Sequence, residues 1–365
     1  MRKFAIFLAL IMLFTMCSCS QKNEKKNSTV FEDEYSELEQ ENTDNVTGSV
    51  GQKDNSTSTS SENKPSGGSG VDLPTVEDDR IIVACWGDSL TEGMGMHEKS
   101  YPTRLSEMLG TDYRVLNGGD GGETTATIAA RQGGLKVYTS KDIIFGRNVK
   151  AAFVSKETQF NFVTKDGKQV NLTSYLGNGI SVNDVTINGN KYKLEFDKFE
   201  WEPRSFELYL MRSGDISSQV TIPKGSEVIF NGTDVAKKGG IDIYLMGANG
   251  GYSDNAEYIS QLKSMIAYHG NDKYIVIKPY WGNYTGLEEA FGKHLLDFKK
   301  LAQENGIAYE KLTPTEEDNK AISKNQVPAS LHYNNDVSNI HLNQYGYHFL
   351  AHCVYEKGKA LGYFK

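Results

Sequence analysis

The stretch CWGDSLTEG, residues 85–93, places Gly-Asp-Ser directly after the apolar run Ile81–Cys85, which reads as a buried strand. A turn at that point presents the Ser89 hydroxyl at the strand's carboxyl end. An alcohol is a poor nucleophile at neutral pH. Chemistry there needs an adjacent base and a turn that holds the side chain clear of the sheet, which Gly87 permits. A serine capping the following helix is the alternative, since Ser and Asp favour helix starts. Among seven histidines, His341 stands out because IHLNQYGY leads directly into a C-terminal helical pattern. His348 and His352 lie four apart on that helix and have the spacing of a metal pair. No third ligand accompanies them, so they read as helix-surface or packing residues. Two glycine-rich turns follow other strand candidates: NGGDGGETT at 117–125, and GANGG at 247–251 with Asn249 at a strand end.

The elements that must position these residues alternate. After the first strand, Tyr101, Leu105, Met108 and Leu109 recur at helical spacing and are closed by Gly110. YRVLNGG gives a second strand, and TTATIAARQGG a short helix stopped at Gly133. Strand, helix, strand, helix is the signature of an α/β layer with parallel strands. Between about residues 135 and 238 the pattern changes to short β-rich runs separated by turns such as Asp166-Gly167, Asn188-Gly189 and Asn231-Gly232. This predicts an inserted all-β module. Its aromatics Tyr192, Phe196, Phe199, Trp201, Phe206 and Tyr209 are read first as core, with a sugar-stacking face as the alternative. The α/β pattern resumes with IDIYLMGANGG, a helix from about Asp254 to Tyr268, the strand KYIVIKPYWG, a longer helix over 286–305 and IAYEKL as a fifth short strand.

The 365-residue chain carries a formal net charge of −8, and its folded part has none of the clustered Lys and Arg that phosphate neutralisation needs, so nucleic acid is excluded as a partner. Arg2 and Lys3, the apolar run Phe4–Met16 and then Cys17-Ser18-Cys19-Ser20 have the order of an export signal, too short to span a bilayer comfortably. The stretch, residues 1–19, resembles a bacterial lipoprotein signal, which implies that Cys19 at the cleavage site is lipid-modified and becomes the new N-terminus; a plain secretory signal or an uncleaved anchor is the alternative. Residues 20–78 are rich in Ser, Thr, Asn, Glu and Gly and cannot bury enough apolar surface to offset the entropy of ordering. A flexible tether of that length reaches roughly 40–45 Å, enough to hold a domain clear of headgroups. The remaining cysteines, Cys85 and Cys353, read as buried thiols, with one disulfide as the alternative.

Gly-Asp-Ser-Leu after the first strand, Asn-Gly-Gly after the second, Gly-Ala-Asn after the third and a histidine before the last helix resemble, in that order, the SGNH hydrolases, or GDSL esterases. The resemblance covers residues 79–134 and 239–365 and leaves out the tether and the β insertion at 135–238. It implies a flavodoxin-like three-layer sandwich around a central parallel sheet. It also implies Ser89 as nucleophile and His341 as base, with an oxyanion hole from the backbone N–H of Ser89, the N–H of Gly122 (Gly119 being the runner-up) and the side chain of Asn249. The family's aspartate three residues before the histidine is Ser338 here. Asp336 is therefore expected to orient the ring, with a backbone carbonyl as the alternative. Gly250 stands where the family often has Asp. No metal or organic cofactor is implied.

The expected activity is serine ester hydrolysis of short acyl groups, chiefly acetyl, on an extracellular carbohydrate, by a lipoprotein on the outer face of the bacterial cytoplasmic membrane. The alternatives are a lipase or lysophospholipase, and a carbohydrate-binding lipoprotein without activity. The β module is expected either to grip the substrate or to serve a structural role.

Overall fold

The computed structural model of the chain describes residues 79–156, 162–170, 184–199, 202–230 and 240–365. The signal segment, Cys19 and the tether lie outside them, as do Trp201 and Asn231-Gly232. No helix among the described residues is long and apolar enough to cross a membrane.

Five strands form a parallel sheet. In chain order they are Ile81–Gly87, Tyr113–Gly119, Ile241–Leu245, Tyr274–Ile277 and Leu295–Leu296. Their spatial order is second, first, third, fourth, fifth. The strands are buried on both faces, as parallel strands between helical layers must be. Val83, Cys85, Ile243, Leu245, Ile275 and Ile277 point to one face, where they meet Leu105 of the helix Tyr101–Leu109 and Leu350 and Val354 of the helix Gln344–Ala360. Ala84, Trp86, Tyr244, Met246 and Val276 point to the other, against Ile128 of the helix Thr125–Gln132 and Leu262 of the helix Asn255–His269. Local chemistry sets the ends of these helices. The Asp254 side chain accepts the Glu257 N–H at one start, Asn343 accepts from Tyr345 and Gly346 at another, and Gly133 takes φ +103° at a stop.

One element differs from the sequence expectation. The fifth strand is Leu295–Leu296, inside the stretch expected to be a helix over 286–305, whereas IAYEKL begins as helix at Ile307–Tyr309. Short apolar runs fit either period, and here pairing with Val276 and Ile277 on the fourth strand's open edge decides. Asp297 then caps a new helical run by accepting the Lys300 N–H.

The insertion is a β module with its own core. An eight-stranded antiparallel sheet and a two-stranded one, spanning Val137 to Phe230, enclose Phe145, Phe162, Val185, Leu194, Leu208 and Phe230. The hairpin of Asp184–Ile187 with Asn190–Phe199 turns through Asn188-Gly189, both at positive φ (51° and 77°), which the tight two-residue turn demands. Tyr192 is buried and stacked on Phe145, as core, and Tyr209 packs edge-on against Phe153. The side chains of Phe196, Phe199 and Phe206 lie outside the described residues. Leu135 packs against both this core and the helical face of the parallel sheet, and Lys168 pairs with Glu257 on the helix Asn255–His269.

Candidate active site

The strand order reverses between the first and third strands, and the crevice beyond their carboxyl ends is where open α/β sheets bind ligands. Ser89 follows the first of these strands by two residues and Asn249 follows the other by four. Two glycines let the loops close. A Cβ on Gly87 would lie 2.1 Å from the Leu245 carbonyl oxygen, and one on Gly119 would lie 2.0 Å from the Glu92 nitrogen. Gly119 is therefore required for packing beneath the short helix Ser89–Glu92.

Asp88 caps that helix and ties the two loops. Its Oδ1 accepts the Leu90 N–H (3.1 Å) and its Oδ2 the Ala248 N–H (3.2 Å), next to Asn249. Burial pushes its carboxyl up to about 7 against these N–H donors, which favour the charged form.

Ser89 and His341 meet from opposite ends of the domain. Ser89 Oγ is 2.9 Å from His341 Nε2, and both residues are buried. The His341 backbone N–H donates to Asn339 Oδ1 (3.0 Å), so that atom is an acceptor and the amide orientation is fixed. The same oxygen lies 2.9 Å from His341 Nδ1. Nδ1 must then carry the proton, which leaves the Nε2 lone pair facing the Ser89 hydroxyl. Burial lowers the His341 pKa to about 4, so the ring is neutral at ordinary pH.

Asp336 is placed elsewhere. Its exposed carboxylate accepts the Ser338 N–H (2.8 Å) and the Ser338 hydroxyl (2.7 and 2.8 Å), and these bonds hold its pKa below the usual range. An Asp that bonds the N–H two residues on closes a local turn. The atom against Nδ1 is the side-chain oxygen of Asn339, a neutral amide one position past Ser338, whereas Asp336 was expected there.

The glycines expected to form an oxyanion hole lie on the loop after the second strand. A Cβ on Gly121 would lie 3.9 Å from Ser89 Cβ, and Gly122 beside it takes φ +79°, so this loop passes over Ser89. Asn249 Nδ2 donates to the Glu123 carbonyl (3.0 Å), which spends one of its two hydrogens. The Ser89 N–H belongs to a helix's first turn, where donors have no intrahelical partner. Gly250 also serves this junction, its carbonyl accepting the Thr125 N–H (3.0 Å).

Sequence reasoning missed what anchors that loop. Arg131 is fully buried, lies 5.6 Å over the Trp86 ring, and donates through Nη2 to the Gly118 carbonyl (2.7 Å) and Glu123 Oε2 (2.5 Å). Its Nη2 also reaches the Gly87 carbonyl (3.4 Å), so one guanidinium spans the end of the strand before Ser89 and the loop after the second strand. Burial raises the Glu123 pKa while the Arg131 charge opposes it. The available signal was a lone arginine among the small apolar residues of TATIAARQ.

His348 Nδ1 pairs with Glu310 (2.8 Å) and His352 stacks on Tyr309 at 4.1 Å. Among the described residues no group of three His, Cys, Asp or Glu could hold a metal ion. Cys85 and Cys353 are free and buried, and burial raises both thiols, Cys353 to about 12. Comparisons with protein-family models, curated proteins and solved structures found no match for the chain.

Proposed function

We propose that the protein is a serine ester hydrolase of the SGNH type, exported and held at the outer membrane face by a lipid on Cys19, that removes short acyl groups, acetyl foremost, from carbohydrate. The observation that carries the reading is the chain Ser89 Oγ, His341 Nε2, His341 Nδ1, Asn339 Oδ1, with the tautomer fixed by a backbone donor. Ser89 Oγ attacks the ester carbonyl as Nε2 takes its proton. The oxyanion is met by the N–H groups of Ser89 and Gly122 and the free hydrogen of Asn249 Nδ2. The tetrahedral species collapses as His341 returns the proton to the leaving alcohol, and acyl-Ser89 remains. Water deprotonated by Nε2 attacks it, and the acid leaves with Ser89 reprotonated.

The preference for a short acyl group is supported by the mixed polar and apolar character of the loop PYWGNYTG, where a long acyl tunnel would need apolar residues. The test is hydrolysis of p-nitrophenyl acetate against longer p-nitrophenyl esters by the full chain in detergent, with Ser89→Ala alongside. Acetate preference that vanishes in the variant upholds the reading, and equal rates for both proteins on every chain length overturn it. Cys19→Ala should move the protein from the membrane to the soluble fraction.

A further inference from the structure

Beside the loop carrying His341 lies a groove made of two pockets, of about 350 and 370 Å³, that share Gly282, Lys299 and Asn325. One wall is the segment 279–284 beyond the fourth strand. Tyr280 Oη donates to the carbonyl of Ile340, the residue before His341 (2.7 Å), and Tyr284 Oη to that of Gly247, two residues before Asn249 (3.2 Å). The groove thus flanks both halves of the site.

Its chemistry is cationic in a chain of net charge −8. Lys278 in the groove is matched by Glu288 (2.5 Å) and Asp297 (3.5 Å). Lys299, Lys300 and Lys324 also line it, and the ion pairs among the described residues include none of the three. Unneutralised like charges around a concave wall focus a positive field there. Gln303 Nε2 donates to Asn325 Oδ1 (3.3 Å) and the Gln326 carbonyl (3.0 Å), which presets the amides of that wall. Half-buried Trp281 forms part of the lining. An indole, fixed amides and free ammonium groups together suit a sugar with an anionic substituent: apolar contact for the ring, donors and acceptors for hydroxyls, cations for the charge.

We propose that this groove is a subsite for an acidic sugar unit adjacent to the acylated one, so that the substrate is an acylated anionic glycan. The inference rests on the esterase reading for its second half only. The test uses the full chain in detergent and the double variant Lys299→Ala, Lys324→Ala, assayed on p-nitrophenyl acetate, O-acetylated polygalacturonate and neutral O-acetylated xylan. The wild type should show a lower KM on the acidic polymer, a difference that closes at about 0.5 M salt. The double variant should raise that KM about tenfold and leave p-nitrophenyl acetate and xylan unchanged. Equal KM values on the two polymers, or a variant that changes neither, overturn the proposal. Failure to cleave any ester would sink the esterase reading instead, and the groove is then judged by calorimetry with tetragalacturonate and phosphorylated maltotetraose. Binding to either that the double variant weakens about tenfold upholds it and tells a carboxylate from a phosphate; no binding of either overturns it.

Discussion

The two ends of the parallel sheet each bury a histidine, and the two are pushed in opposite directions. At the carboxyl end His341 faces a neutral amide oxygen, Asn339 Oδ1, and burial lowers its pKa to about 4. At the amino end His269 Nδ1 pairs with the buried carboxylate of Asp242, which also accepts the Tyr244 hydroxyl (2.7 Å). Burial alone would lower His269 too, but the hydrogen bond and charge of Asp242 raise it instead. The same ring in similar burial becomes a weaker base beside an amide and a stronger one beside a carboxylate. A neutral imidazole with its lone pair on a hydroxyl is ready to take a proton. A ring held against a buried carboxylate suits a fixed structural role.

The largest expected effect separates the two roles. His341→Ala should cost about 10⁴-fold or more in kcat on p-nitrophenyl acetate, with the fold intact by circular dichroism. His269→Ala should lower stability and leave kcat of the folded protein near wild type. Equal losses of kcat in both variants would break the comparison. Next in size, Asp242→Asn should cost about 3 kcal/mol in denaturant unfolding, because buried His269, Tyr244 and Trp86 lose the carboxylate they share. Asn339→Ala, at the opposite end, should cost far less stability than activity.

Much of this was legible in the sequence. Ser89 could be read because an apolar run stops at Gly-Asp-Ser, and His341 because it precedes a helix with a clear start at Asn343. The helix ends at Asp254 and Gly133 follow from local capping, which a sequence carries in full. The orienting residue was not legible. A carboxylate attracts the role on chemical grounds, yet Asp336 spends its oxygens on Ser338, a choice made by a few ångströms of loop geometry. The strand Leu295–Leu296 escaped for a related reason. Two residues have no period, and only the open edge of Tyr274–Ile277 makes them a strand.

The pH dependence of stability sharpens the comparison by sign. His341 is lowered from the ordinary 6.5 to about 4, so its neutral form contributes stability above 6.5 that is lost as pH falls towards 4, on the order of 3 kcal/mol. His269 is raised, so its contribution is full below 6.5 and is lost as pH rises through the folded value. Urea unfolding of the wild type minus His341→Gln should therefore show a slope on the acid side, and minus His269→Gln a slope on the alkaline side. Taking differences removes Asp88, whose raised pKa works with the opposite sign between about 4 and 7. Slopes on the same side for both histidines would mean that the two partners do not set the two basicities.

The smallest effect is the most informative about catalysis. Asn339→Asp keeps an acceptor where the backbone N–H and Nδ1–H of His341 already donate, and adds a charge. The imidazolium formed during attack is then stabilised, so kcat/KM at pH 8 should rise by up to about tenfold. The same charge raises the resting pKa, and the acid limb of kcat/KM should move up from about 4 by about one to two pH units. Asp336→Asn should move that limb little, since its carboxylate is bound to Ser338. If Asp336→Asn lowered the limb and Asn339→Asp left it in place, the carboxylate would be orienting the ring in solution. The amide's role in holding a weak, neutral base would then be lost, and with it the contrast between the two ends of the sheet.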